Sequence, residues 1–187
     1  TKNYANEDGG ALFVTGFDCE LHNSTFYDNY AGDDGGAIYW QGGNGEVYNI
    51  TCNDNKAIST TGSSNGGTIC LTGSNVTIEK SNFTKSSAVV DGGALFITGN
   101  DVIINETKFY DCAATNNGGA ICMDGQYSTI EDNCYFNNNT AYENGGAIKI
   151  DGNHVNIDDN CRFINNTAIN GGAIHSYGYG THIYDNC

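Results

Sequence analysis

Apolar residues in this chain fall two apart in runs of three, as in Ile38-Tyr39-Trp40, Leu95-Phe96-Ile97 and Ile148-Lys149-Ile150. Gly or Asn soon cuts each run, no window carries a sustained helical stripe, and the chain has no proline. Alternation over such short lengths predicts strands rather than helices.

The runs recur in phase. A block Asp/Asn-Gly-Gly-Ala/Thr-Ile/Leu begins at Asp8-Gly9-Gly10-Ala11-Leu12 and returns with its first Gly at Gly35, Gly66, Gly92, Gly118, Gly145 and Gly171. The spacings are 26, 31, 26, 26, 27 and 26 residues. With that first Gly as position zero, position 3 is always Ile or Leu, position 7 always Gly, and position 12 Leu, Val or Ile. Near position 17 lies Phe-x-x-Asn-x-Ala, intact from Phe26, Phe136 and Phe163, and varied from Cys52, Phe83 (with Ser86 for Asn) and Phe109 (with Cys112 for Asn).

Each unit offers about three short strands, too few to bury a face alone. Stacking solves the problem, because every strand then pairs with its copies above and below, ~4.8 Å away. The expected fold is all-β, a right-handed parallel β-helix of about seven turns, the hand following the rule for parallel crossovers. The Ile/Leu and Phe columns should fill a narrow core and the Asn column should form an inward amide ladder. The Gly pair and the later Gly are expected to permit turns of positive φ, and the Asp or Asn before Gly-Gly is turn chemistry. Gly-Gly-Ala lacks the spacing and lysine of a phosphate loop.

The pairing of Gly-Gly-Ala-Ile/Leu with Phe-x-x-Asn resembles the repeats of chlamydial polymorphic membrane proteins. It is equally similar to the adhesin-like surface proteins of methanogenic archaea. The resemblance covers all seven units and implies a β-helix displayed at a cell surface, with a structural or adhesive role.

Charge and cysteine usage point to the same compartment. Asp and Glu number 22 against 7 Lys and Arg, a net charge of -15. Such a surface repels nucleic acid, and no apolar run approaches membrane-spanning length. Eight cysteines suggest an oxidising, extracellular or cell-surface location. None forms a Cys-x-x-Cys pair, which argues against zinc. Cys134, Cys161 and Cys187 share position 16 in consecutive turns, and Cys134–Cys161 is the expected disulfide. Cys52 and Cys112 occupy Phe and Asn positions and read as small core residues.

Seven Asn-x-Ser/Thr sequons, at Asn23, Asn49, Asn75, Asn82, Asn105, Asn138 and Asn165, are candidate N-glycosylation sites. Glu106, Asp132, Asp159 and Asp185 share position 14, so stacking would line up their carboxylates. A hard cation such as calcium could bridge them, or they could form a solvated acidic edge; no other cofactor is expected. Position 4 should point outward, which makes Phe13, Tyr39 and Phe96 candidates for a partner surface. The long second unit has its extra residues around Ser59-Thr60-Thr61-Gly62-Ser63-Ser64, an insertion expected on one face.

No catalytic residues are assigned: the single Arg162 and four scattered His do not complement the acidic column. Residues 1–187 read as one β-helix domain, a segment of a longer rod or a protomer of a filament, whose partners are further copies or repeats of itself end to end and glycans. The alternative is a carbohydrate-binding or polysaccharide-degrading β-helix module.

Overall fold

The computed structural model describes residues 1–59, 62, 64–184 and 187. Their 26 strands, each two or three residues long, form four parallel sheets that run the length of a solenoid of about seven turns. The first sheet holds seven strands, Leu12–Val14, Ile38–Trp40, Ile69–Leu71, Leu95–Ile97, Ile121–Met123, Ile148–Ile150 and Ile174–Ser176. The second, also of seven, runs from Glu20–His22 to His182–Ile183. The third, of six, runs from Thr25–Tyr27 to Arg162–Ile164, and the fourth, of six, from Tyr4–Ala5 to Thr140–Ala141. Register is in step throughout, as in Leu12↔Ile38, Val47↔Ile78 and Phe109↔Phe136.

There are thus four strands per turn where three were expected. Phe-x-x-Asn-x-Ala supplies two of them, split by a corner. In turn four Lys108–Tyr110 ends at Asp111, whose φ is +54°, and the next strand is Ala113–Ala114. Among the described residues four such corners close each of turns one to six, and a left-handed residue with φ between +44° and +67° stands at each. They fall at position 0 (Gly35, Gly92), position 9 (Asn44, Asp101), position 14 (Asn49, Glu106) and position 19 (Asp54, Asp111). Asp and Asn tolerate this conformation better than most residues, because a short polar side chain can bond locally.

The glycines divide into two kinds, which corrects the expectation that all permit positive φ. Only the first of each pair has it. At position 7 the reason is close stacking: a Cβ on Gly125 would sit 1.8 Å from the carbonyl oxygen of Gly99 one turn away.

Inside, Phe83, Phe109, Phe136 and Phe163 stack face to face, with ring centroids 4.9–5.1 Å apart. Cys52 interrupts this column in turn two, and the same turn puts Trp40 where the others have Val, Leu, Ile, Met or Ser. Both are fully buried, so the large ring stands in the turn that has the small side chain. The Trp40 indole N–H donates to the Gly42 carbonyl at 2.9 Å, which meets the need of a buried polar atom for a partner.

The amide ladder forms as expected. Asn3 and Asn29 donate to the side-chain oxygens of Asn29 and Asn55 at 2.9 and 2.8 Å, and Asn139 donates to Asn166 at 3.0 Å. Between these stretches Ser86 turns instead to the Thr68 hydroxyl, 2.7 Å away. The Cys112 backbone N–H still donates to Asn139 Oδ1 at 3.0 Å.

Candidate functional surfaces

The three corners without the Gly-Gly block project side chains outward. Asn23, Asn49, Asn75, Asn138 and Asn165 stand on them, exposed, with φ of +50° to +59°. The other two sequons differ. Asn82 and Asn105 lie within strands, half-buried, and the side-chain oxygen of each is sequestered without a hydrogen-bond partner.

Position 14 owes its Asp and Glu residues to this backbone. Glu106, Asp132 and Asp159 all have left-handed φ, from +44° to +53°. Each is exposed, and Glu106 pairs with Lys80 at 3.5 Å. Turns five and six each insert one more left-handed residue here, Asn133 and Asn160. Among the described residues no three His, Cys, Asp or Glu side chains gather into a group able to hold a metal ion. The described members of the column are a row of exposed corner residues; Asp185 lies outside the described residues.

The inserted residue also carries Cys134 and Cys161 into a column that Ser24, Ile50, Ser81 and Thr107 occupy in earlier turns. The Cys134 and Cys161 thiols contact the carbonyls of Ile104 and Ile130 in the turns before, at 3.5 and 3.8 Å. The expected bridge between them is not made, and all eight cysteines are free thiols. In-register stacking keeps neighbouring inward side chains about one strand spacing apart, ~4.8 Å. That spacing lies within the Cα separation of about 4.4–6.8 Å that a disulfide spans, and the Cys161 thiol is within hydrogen-bond reach of the Cys134 thiol. Cys52 and Cys112 are buried among core residues, as their positions suggested.

On the outer face of the first sheet, position 4 runs Phe13, Tyr39, Cys70, Phe96, Cys122, Lys149 and His175 in register. Only its first member is broadly open: Phe13 is 50% exposed and stacks on Tyr39 at 4.9 Å. Tyr39 and Phe96 are half-covered, and Cys70 and Cys122 are buried. The cover comes from the flanking positions. The Cys70 thiol contacts Asp34 and the Cys122 thiol contacts Asp124, both at 3.8 Å. Lys149, only 5% exposed, pairs with Asp151 and lies over the Tyr177 ring.

One flank of this face is a second ladder that the turn reading of Asp/Asn-Gly-Gly did not anticipate. The Asn65 backbone and side-chain N–H groups donate to Asp34 at 2.7 and 3.1 Å, and those of Asn117 to Asp91 at 2.9 and 3.0 Å. Asn144 and Asn170 continue it at 2.8 and 3.0 Å. Partial burial pushes the Asp34 and Asp91 carboxyls above the usual range, against the lowering effect of those donors. Burial does the same to Asp124, with the Asp151 and Asp91 charges adding to it.

The second corner gives a different surface. Position 9 is Asp18, Asn44, Asn75 and Asp101 in four turns, then Tyr127, His154 and Gly180. Tyr127 and His154 keep the left-handed backbone, at +57° and +56°, and their rings stack at 5.1 Å and 2°. Tyr179 meets the edge of His154 at 5.6 Å, and His182 stacks on Tyr184 at 5.2 Å. A concavity of about 340 Å³ lies among Tyr127, His154, Asn156, Gly180, His182 and Tyr184. Sequence reading missed this group; the available signal was two aromatic rings in a column otherwise made of Asp, Asn and Gly.

Of the inserted loop, Thr60, Thr61 and Ser63 lie outside the described residues. Its far end is tied down: Ser64 is buried and its hydroxyl donates to the Ala57 carbonyl at 3.0 Å.

Part of the sequence matches a known repeat. Three segments, residues 23–39, 133–151 and 160–177, match the family model of the Chlamydia polymorphic membrane protein repeat. Each segment runs from the corner before the Phe through the Gly-Gly-Ala-Ile strand, and together they make up under a third of the chain. They contain the three blocks that are intact, from Phe26, Phe136 and Phe163. The turns with Cys52, Ser86 and Cys112 are not matched. No curated protein and no solved structure matches the chain.

Proposed function

We propose that this chain is part of an extracellular, adhesin-like rod of a cell-surface stalk or filament, N-glycosylated along its corners. The repeat likeness and the solenoid fold fit such a rod. The observation that carries the reading is the placement of Asn23, Asn49, Asn75, Asn138 and Asn165 on exposed outward corners. A glycan there extends into solvent, and a glycosylated amide keeps one N–H for the inter-turn bonds that Asn49, Asn75 and Asn138 donate to Asn23, Asn44 and Asp111. The interior is occupied by stacked Phe, Ile and Asn columns, so the rod presents its chemistry only on its flanks. Further repeats or copies stack along the axis in this reading, and no reaction is assigned to it.

Site-resolved glycopeptide mapping of native material is the test. Glycans are expected at those five asparagines and not at Asn82 or Asn105, whose half-buried amides sit within strands. Five bare corner asparagines on protein recovered from its source would overturn the glycosylated, extracellular reading.

A further inference from the structure

We propose that the second corner of turns five to seven is a binding site for a neutral saccharide, with the Tyr127–His154 stack as its platform. Left-handed backbone is enriched in Asn, Asp and His, so the strain at this corner falls on Tyr127, and such strain clusters at functional sites. Four other turns fill this corner with Asp or Asn, which the backbone accepts more readily. Two consecutive turns have a ring instead, and the two rings lie flat on one another.

The turns around them make room for the rings. A Cβ on Gly180 would come within 2.8 Å of the His154 imidazole, so the missing side chain lets that ring lie over the corner. The His154 backbone N–H donates to the Tyr179 carbonyl at 2.7 Å, and the Tyr179 N–H donates to the Asn153 side chain at 2.9 Å, which fixes the backbone that carries the third ring. Tyr127 and Tyr179 are nevertheless 59% and 77% exposed. Rings held in place yet open to water offer an apolar face with a polar edge.

The polar groups decide the ligand class. Asn156, His154 and His182 line the concavity and supply donors and acceptors suited to ring hydroxyls. Its volume, about 340 Å³, is at the small end of ordinary ligand clefts. A net charge of -15 disfavours anionic ligands. A neutral pyranose satisfies all three, with C–H groups against the aromatic face and hydroxyls toward the amide and imidazoles. This gives the adhesive role a ligand class and rests on that reading.

The test is titration of the 187-residue chain with methyl β-galactoside, methyl β-glucoside and N-acetylglucosamine, followed by the ring signals of His154, His182 and Tyr127 in NMR spectra. At least one sugar should move these signals saturably, with a Kd no weaker than ~10 mM. Tyr127→Asp, which restores the residue type of Asp18 and Asp101, should weaken binding at least tenfold while the chain stays folded. Silence from all three sugars up to that concentration, or equal binding by Tyr127→Asp, would overturn the site. Neither result bears on glycan mapping, so the rod and its sugar site fail separately.

Discussion

Two corners of the same turn, nine residues apart, use the same left-handed backbone under opposite constraints. Gly118 opens turn five with φ +62° and Tyr127 closes its first strand region with φ +57°. A Cβ on Gly118 would lie 2.2 Å from the Ile121 carbonyl oxygen, because the chain folds straight back into the first sheet. The corner at Tyr127 faces outward and accepts a whole aromatic ring. The difference teaches where this solenoid can vary. Positions that face the next bend or the next turn are held by sterics, and positions on the outer corners are free to carry chemistry.

The strongest way to break the comparison is to put a methyl group on the first corner. Gly118→Ala combines a backbone clash with the wrong φ preference and should cost more than about 4 kcal/mol in chemical denaturation. Next comes the Phe stack. Phe109 is fully buried with a ring on either side, and Phe109→Ala should cost about 3–5 kcal/mol, read the same way. Asn139→Ala removes side-chain bonds to the Cys112 N–H, Asn166 and the Phe109 carbonyl. With buried partners left unpaired, a loss of about 3 kcal/mol is expected.

The smallest effect sharpens the comparison on the first sheet's outer face. Asp8, Asp34, Asp91 and Asp124 have carboxyl pKa values raised in the fold, chiefly by burial. A raised native pKa means that the folded chain binds protons before the unfolded one does. Stability conferred this way is present at low pH and is lost as pH climbs from the ordinary carboxyl value, about 3.9, through the raised values. The thermal midpoint should therefore fall as pH rises from about 4 to 7. A rising midpoint over that range would contradict the burial of these carboxylates.

The architecture was legible because its columns are literal repeats. The Ile/Leu positions, the Phe stack and the Asn ladder all follow from period and alternation, and the structure places them as expected. The fourth sheet was hidden because its strands are two residues long, too short for alternation to register. The outer Asp/Asn ladder was hidden because Asp and Asn also suit turns, and local sequence does not say that successive turns bond to one another. Glu106, Asp132 and Asp159 share a column through backbone conformation, which a count of positions finds without showing why. Tyr127 and His154 were visible as exceptions in position 9, but that position showed its meaning only once its φ was known.

The central claim is that inward-folding corners are sterically closed and outward corners are open to function. Paired unfolding measurements on Gly118→Ala and Tyr127→Asp test it within one turn. The account predicts that the first loses most of the chain's stability and that the second keeps it or gains about 0.5–1 kcal/mol, as a more suitable left-handed residue replaces the ring. Comparable losses in both variants would show that the ring at the outer corner holds up the fold, and the division between closed and open corners would fall.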